Sequence, residues 1–146
     1  MLISESDEIC VRIKRASESI ERVLNSQLSD DGITLTQYKI MYTLFHRTDD
    51  GTATQKEIED YLSVTHPTAV GLFRRMESKG LIINLGREGK SSKTIKLTPM
   101  GRALIKKNEH TLLNTERKLK DIIGEANIVS FMESLNTIEK EFRKAQ

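Results

Sequence analysis

The chain has 146 residues, 37% hydrophobic and 30% charged, with a formal net charge of +2. That suffices for one domain with a buried core, or one domain plus helical arms, and no apolar run approaches the ~18 residues that cross a bilayer. A single cysteine rules out an internal disulfide and fits a reducing cytoplasm, and the acidic start MLISESDEIC lacks the basic-then-apolar layout of a secretory signal.

Residues 7 to 28 read as an amphipathic helix. Ile9, Ile13, Ala16, Ile20, Val23 and Gln27 recur at three–four spacing, and Leu24 and Leu28 widen the stripe. Ser29-Asp30-Asp31-Gly32 breaks it. A second helix opens at Thr34, whose Gln37 completes a capping box, and runs to about Arg47 with Tyr38, Met41, Leu44 and Phe45 inward. Asp49-Asp50-Gly51 closes it. A third opens at Thr54 with Glu57 in the same relation and carries Ile58, Tyr61 and Leu62. Leu62-Ser63-Val64-Thr65 turns tightly into a fourth helix, 65 to 79, with Pro67 in its first turn, where a missing N–H costs nothing. Gly80 ends it as a left-handed cap.

A strand, a charged loop and a second strand then lead to Thr98, which caps a long helix with Pro99 at its first position. Gly124 stops that helix after about Ile123. A last helix, from about Asn127 to Arg143, carries Ile128, Met132, Leu135, Ile138 and Phe142. The fold class is mainly α with a small β-hairpin wing (α+β). A winged helix-turn-helix core over 34–98 is flanked by a helical dimerisation region over 1–33 and 99–146, without a flexible linker. Long apolar stripes at both ends exceed what a small winged core can cover, so the expected assembly is a homodimer, with an intramolecular helical bundle as the alternative.

In the fourth helix Ala69, Leu72, Phe73 and Met76 fall at i, i+3, i+4 and i+7, one inward stripe. The opposite face carries His66, Pro67, Val70, Gly71 and Arg74, with Thr68 and Arg75 at its flanks. A helix-turn-helix whose outward face is small and basic suits a DNA major groove. His66, Pro67, Val70 and Gly71 are expected to face bases: His66 to hydrogen-bond a purine, Val70 to pack on a thymine methyl, Gly71 to permit close approach. Thr65, Thr68, Arg74 and Arg75, with Arg87, Lys90 and Lys93 of the hairpin loop, are expected to face phosphates. Residues 62 to 98 hold seven Lys or Arg against two acids, a charge of +5, which leaves −3 on the remainder. A charge run alone is a solvated face. Its coincidence with the helix-turn-helix points to double-stranded DNA, with a palindromic operator for a dimer.

The stretch VTHPTAVGLFRRMESKGLI, followed by a basic hairpin and LTPMGRAL, resembles the MarR family of bacterial winged-helix transcription regulators. The resemblance runs over roughly residues 34 to 105 and is carried by HPT, MESKGLI and LTPMG, in order and at the family's spacing. It implies a cytoplasmic homodimer that represses or activates transcription, repression being the commoner mode, and that responds to a small molecule or an oxidant. No cofactor is implied. In one respect the chain departs from the pattern. The family's wing usually carries an Asp-x-Arg near its tip, and the corresponding positions are Gly89 and Ser91, so a minor-groove arginine is missing there. Arg87, Lys90 and Lys93 are the nearby substitutes.

Three sensor chemistries follow. The default is a small, fairly apolar ligand in a crevice near Tyr38, Met41, Tyr42 and Phe45, whose helical spacing core packing explains as well. Cys10, 28 residues before Tyr38, resembles in placement the reactive cysteine of the family's organic-peroxide-sensing branch. There tyrosines hydrogen-bond the cysteine, whereas Leu24 and Leu35 stand at the comparable positions here. A metal needs three or four converging ligands, and His46, His66 and His110 include no i, i+4 pair, so no metal is expected. The chain contains no phosphate-binding glycine loop, no H-E-x-x-H and no nucleophile elbow, which argues against an enzyme. A winged helix used only for protein contacts is the remaining alternative.

Overall fold

The computed structural model describes residues 8–86 and 93–144. It divides into two compact units, Met1–Glu109 and His110–Gln146. The first unit begins with α1 (Ile9–Leu28), which ends in a single 3-10 turn over Ser29–Asp31 and a left-handed Gly32 at φ +69°. Next, α2 (Leu35–His46) opens on the expected capping box. The Thr34 hydroxyl accepts the Gln37 N–H at 3.2 Å, and the Gln37 side-chain oxygen accepts the Thr34 N–H at 3.1 Å. The same device opens α3 (Gln55–Leu62), with Thr54 and Glu57 paired at 3.1 and 3.2 Å.

Ser63 then takes a left-handed conformation at φ 54°, which turns the chain into α4 (His66–Ser78). Beyond α4 lie β2 (Ile82–Asn84) and β3 (Thr94–Leu97), an antiparallel pair with Ile82 opposite Leu97. A third strand, β1 (Thr52–Thr54), pairs antiparallel with β3 on its other side, Ala53 opposite Ile95, so the sheet order is β1-β3-β2. The sequence reading had only the two hairpin strands. α5 (Pro99–Ile123) follows the hairpin. The unit's core draws one or more side chains from each element: Leu28, Met41, Ile58, Met76, Ile95 and Ile105 are at most 1% exposed. Each such burial is worth about 1.5–3 kcal/mol before entropy is counted.

The tightest packing joins the end of α4 to the start of α5. Gly80, at φ +76°, is the left-handed residue of a Schellman cap, in which the Gly80 N–H donates to Glu77 O at 2.9 Å and the Leu81 N–H to Met76 O at 3.0 Å. The Thr98 hydroxyl donates back to Gly80 O at 2.6 Å and lies 3.0 Å from Leu81 O, while accepting the Gly101 N–H at 3.0 Å. Gly101 therefore presses on Leu81, just before β2, and on the end of β3: a methyl group there would meet Leu81 O at 2.5 Å and Leu97 Cδ1 at 2.6 Å.

A second tie holds the α1–α2 turn. The Asp31 carboxylate accepts from Lys107 Nζ at 2.6 Å and from Asn108 Nδ2 at 3.0 Å. These hydrogen bonds, that of Lys107 foremost, hold Asp31 below the ordinary aspartate value.

Two aromatic side chains, Phe45, expected to turn inward, and Tyr61, placed only by its helical spacing, are each held under a guanidinium. Phe45 is partly buried with the Arg102 guanidinium 5.1 Å from its ring centre, and Tyr61 is 45% exposed with Arg47 5.0 Å above it. Cation–π contact lets an aromatic ring lie at the surface with its face covered, which an apolar period does not distinguish from core.

In the second unit the rest of α5 ends at Gly124, φ +88°, and α6 (Glu125–Lys144) starts at once, two residues earlier than expected. None of its described side chains is buried. Val129, Phe131, Met132 and Phe142 are between 44% and 70% exposed. Among the described residues no helix is long and apolar enough to cross a membrane.

Two consequences are measurable. Gly101→Ala must displace either the Leu81 carbonyl or the Leu97 side chain, and we expect a loss of about 1–3 kcal/mol in urea unfolding. Asp31 has a depressed folded value, so its contribution is complete above the unfolded aspartate value of about 3.9 and disappears as pH falls through the lower folded value. Asp31→Asn should therefore lower the urea midpoint at neutral pH, and the gap to wild type should close below about pH 4.

Candidate nucleic-acid interface

The helix-turn-helix reading rests on α4, and its inward face is as expected: Ala69, Leu72, Phe73 and Met76 are all under 9% exposed. With that stripe anchored, the 3.6-residue period turns the remaining positions outward. His66, Pro67, Thr68, Arg74 and Arg75 are exposed, and Val70 and Gly71 are partly buried. Gly71 keeps the helix surface low in mid-face. The Arg75 guanidinium lies back along the helix toward it, 3.5 Å from where a Gly71 side chain would begin. Arg74 has no hydrogen-bond or ion-pair partner among the described residues.

The N-terminus of α4 is built by Thr65, Thr68 and His66. The Thr65 hydroxyl caps the helix, accepting the Thr68 N–H at 3.4 Å and donating to Thr68 Oγ1 at 2.9 Å. Both threonines, expected to face phosphates, thus spend part of their hydrogen-bonding capacity on each other. His66 is not a free surface residue. Its Nδ1 lies 2.6 Å from Glu59 Oε1 of α3, and the Gln55 side-chain amide donates to that same oxygen at 3.0 Å. The hydrogen bond from Gln55, and after it that from His66, hold the Glu59 carboxylate below the ordinary glutamate value against the effect of its burial.

The sequence reading missed this clamp. Its trace is the i, i+4 pair Gln55 and Glu59, which share one face of α3, but nothing in the spacing says that His66 meets them across the turn.

Other basic residues divide into committed and uncommitted. Lys79 counts toward the basic excess, yet its amine donates to Gly32 O and to Gln37 Oε1, which ties the end of α4 to the α1–α2 turn. Lys93 and Lys96 are exposed along the hairpin. Lys96 was in the charge count but was not singled out. Arg87 and Lys90 lie outside the described residues, as do Gly89 and Ser91.

The proposed sensor residues separate in the same way. Tyr38 is 2% exposed, and its hydroxyl has no protein partner among the described residues; burial pushes its ionisation up to about 12. Tyr42 packs on His46 with ring centres 4.3 Å apart, and His46 Nε2 lies 4.0 Å from Glu109 Oε1. Met41 is fully buried core. Cys10 is exposed on α1, whereas Leu24 and Leu35 are buried and supply no hydroxyl. Among the described residues no three His, Cys, Asp or Glu side chains converge to hold a metal ion.

Known proteins share this fold. A model of the MarR family matches residues 33–85. The uncharacterized HTH-type transcriptional regulator YwoH of Bacillus subtilis is 34% identical over 87 residues, which are 60% of this chain and 61% of YwoH. The match thus spans less than two thirds of that relative's length. Among solved structures, S. aureus MepR in complex with DNA superposes with a TM-score of 0.82 at 23% identity, over 92% of this chain and 97% of MepR. Bordetella bronchiseptica BpsR, whose DNA binding is regulated by 6-hydroxynicotinic acid, superposes with a TM-score of 0.78 at 17% identity, over 96% of this chain and 99% of BpsR. Likeness at these identities establishes the fold.

The cap on α4 gives a direct check. Thr65→Ala removes the acceptor for the Thr68 N–H, and the urea midpoint should fall by about 1 kcal/mol of stability at unchanged slope.

Proposed function

We propose that the chain, which is similar to the MarR family of bacterial winged-helix transcriptional regulators over residues 33–85, is a cytoplasmic homodimer that binds a palindromic operator in double-stranded DNA and represses transcription until a small ligand releases it. One observation carries this reading: the face of α4 opposite its buried stripe is exposed at His66, Pro67 and Thr68, low at Gly71, and positively charged at the exposed Arg74 and Arg75. In this reading His66, Pro67, Val70 and Gly71 meet base edges, and Thr65, Thr68, Arg74, Arg75 and Lys93 meet phosphates, with Arg87 and Lys90 assigned to phosphates from the sequence alone. Dimerisation is supported by the apolar side chains that α6 exposes, such as Phe131 and Phe142, and by Ile9 and Ile13 of α1, since patches of this kind mark interfaces.

A ligand-release mechanism draws support from Tyr38, whose buried hydroxyl has no protein partner among the described residues and gains free energy from any polar group that reaches it. BpsR, with the same fold, has its DNA binding regulated by an aromatic acid. The redox alternative has one observation in its favour, the exposed Cys10 thiol. It lacks the hydrogen-bonding tyrosines that the resemblance implies, since Leu24 and Leu35 occupy the comparable positions. The reading as a protein-contact module predicts no salt-dependent affinity for DNA.

The test is selection from a random duplex library at two salt concentrations. Enrichment of an inverted repeat with half-sites about one helical turn apart is the expected result. Salt-dependent retention without a motif would leave a nonspecific DNA protein, and absence of retention would remove the reading. On the selected operator, Arg74→Ala should weaken binding to all sequences alike and lower the slope of log affinity against log salt by about one. Unchanged affinity and slope would take Arg74 off the phosphate backbone.

A further inference from the structure

The clamp on His66 has a chemical consequence that depends on which ring nitrogen carries the proton. An ionised carboxylate can only accept hydrogen bonds, and Glu59 is held ionised. At 2.6 Å from Glu59 Oε1, Nδ1 of His66 must therefore be the donor. The Gln55 amide lies 3.4 Å from Nδ1 but donates to Glu59 Oε1 at 3.0 Å, so two donors converge on one acceptor. The acceptor side is sheltered: Gln55 is 6% exposed and the Glu59 side chain 14%, whereas the His66 side chain is 70% exposed. In a neutral imidazole with its proton on Nδ1, the other nitrogen is a bare acceptor. Nε2 of His66 has no partner among the described residues.

We propose that Glu59, backed by Gln55, is a positioning residue for base selection: by fixing the Nδ1–H tautomer of His66 it makes the outward Nε2 an acceptor that takes the amino group of adenine or cytosine. This rests on the DNA-binding reading above. In the major groove adenine N6 and cytosine N4 are the donors, while guanine N7 and O6 and thymine O4 are acceptors. An acceptor Nε2 set against guanine or thymine places lone pair against lone pair. The other tautomer, Nε2–H, would reverse the preference and would also suit a phosphate oxygen. Glu59 thus acts from α3, without touching DNA, on what α4 can read. The purine that the sequence alone assigns to His66 narrows to adenine, and cytosine joins it.

Two measurements test this. In the free protein, labelled with 15N and held at a pH where the ring is neutral, two-bond 1H–15N correlation identifies the protonated nitrogen of His66, assigned by its loss in His66→Gln. Wild type should show Nδ1–H with Nε2 bare, and Nε2–H as the main form would overturn the proposal whatever the variants do. Glu59→Leu should shift His66 toward Nε2–H.

In the library selection, wild type should favour adenine or cytosine at one position per half-site by roughly three- to tenfold. His66→Ala should lose that preference. Glu59→Leu should lose it or turn it toward guanine or thymine, with nonspecific affinity retained. A Glu59→Leu protein that keeps both the wild-type tautomer and the wild-type base would sink the inference and leave the DNA-binding reading standing. Failure of wild type to retain any duplex would remove that reading, and the base-selecting role with it.

Discussion

The junction at Thr98 is the constraint on which the rest of the first unit depends. Three segments meet there: the cap that ends α4, the last strand of the hairpin, and the first turn of α5. One hydroxyl serves them, donating to the carbonyl of Gly80 and accepting the amide of Gly101, with Leu81 O also within reach. A buried carbonyl left without a donor costs about 1–3 kcal/mol, so the three segments are held together rather than merely adjacent. The close approach needs a residue without a side chain at Gly101 and a left-handed one at Gly80. The hairpin and α4 are consequently fixed to each other through their common anchor on α5.

At its other end α4 is fixed by different chemistry. Thr65 caps the helix, and Glu59 grips His66 across the turn. Near the C-terminus Lys79 reaches the α1–α2 turn, and Asp31 of that turn is bound in turn to Lys107 and Asn108 of α5. A helix held at both ends presents its outward face with little left to order. Binding then loses less conformational freedom, and the geometry of the exposed side chains, more than induced fit, decides what the face accepts. Freedom remains in the long side chains, and Arg74 and Arg75 are suited to tracking a phosphate backbone that tolerates several rotamers.

How much of this the sequence disclosed follows from the range of each interaction. The two capping boxes, the Schellman glycine and the proline-led start of α5 are written within four or five residues, and all were legible. The stripe of α4 was legible because its period runs over eight residues of one helix, Ala69 to Met76. β1 was not, since Thr52-Ala53-Thr54 is too short to show an alternation and is a strand only because β3 lies beside it. The helix after Gly124 begins earlier than its apolar pattern because the left-handed glycine ends one helix and admits the next without a linker. Phe45 looked like core because a guanidinium cover leaves no mark on apolar spacing. His66 was read as an outward residue of α4 and Glu59 was not singled out, because only the turn geometry sets a carboxylate beside the ring. The motifs LTPMG and MESKGLI were the most informative pieces of the chain, and the structure supplies the reason: they are the two sides of the Thr98 junction.

Charge shows the same difference between counting and placing. Residues 62 to 98 carry an excess of five positive charges, but that excess is not all available to a ligand. Lys79 is engaged internally, and the carboxylate of Glu59, just outside the counted stretch, faces the first residue of α4. The uncommitted cations on α4 are Arg74 and Arg75, both in its second half, while its N-terminal end combines a histidine with a carboxylate behind it. Along α4, then, the field and the reading chemistry are separated. In the proposed reading, attraction to a polyanion comes from the C-terminal half and the hairpin lysines, and discrimination from the N-terminal turn, where Glu59 holds the His66 ring. A face composed only of arginines would hold any duplex. The carboxylate behind His66 lowers the local positive potential and so gives up some nonspecific affinity, and in exchange the outward atom at that position has one defined hydrogen-bonding sense.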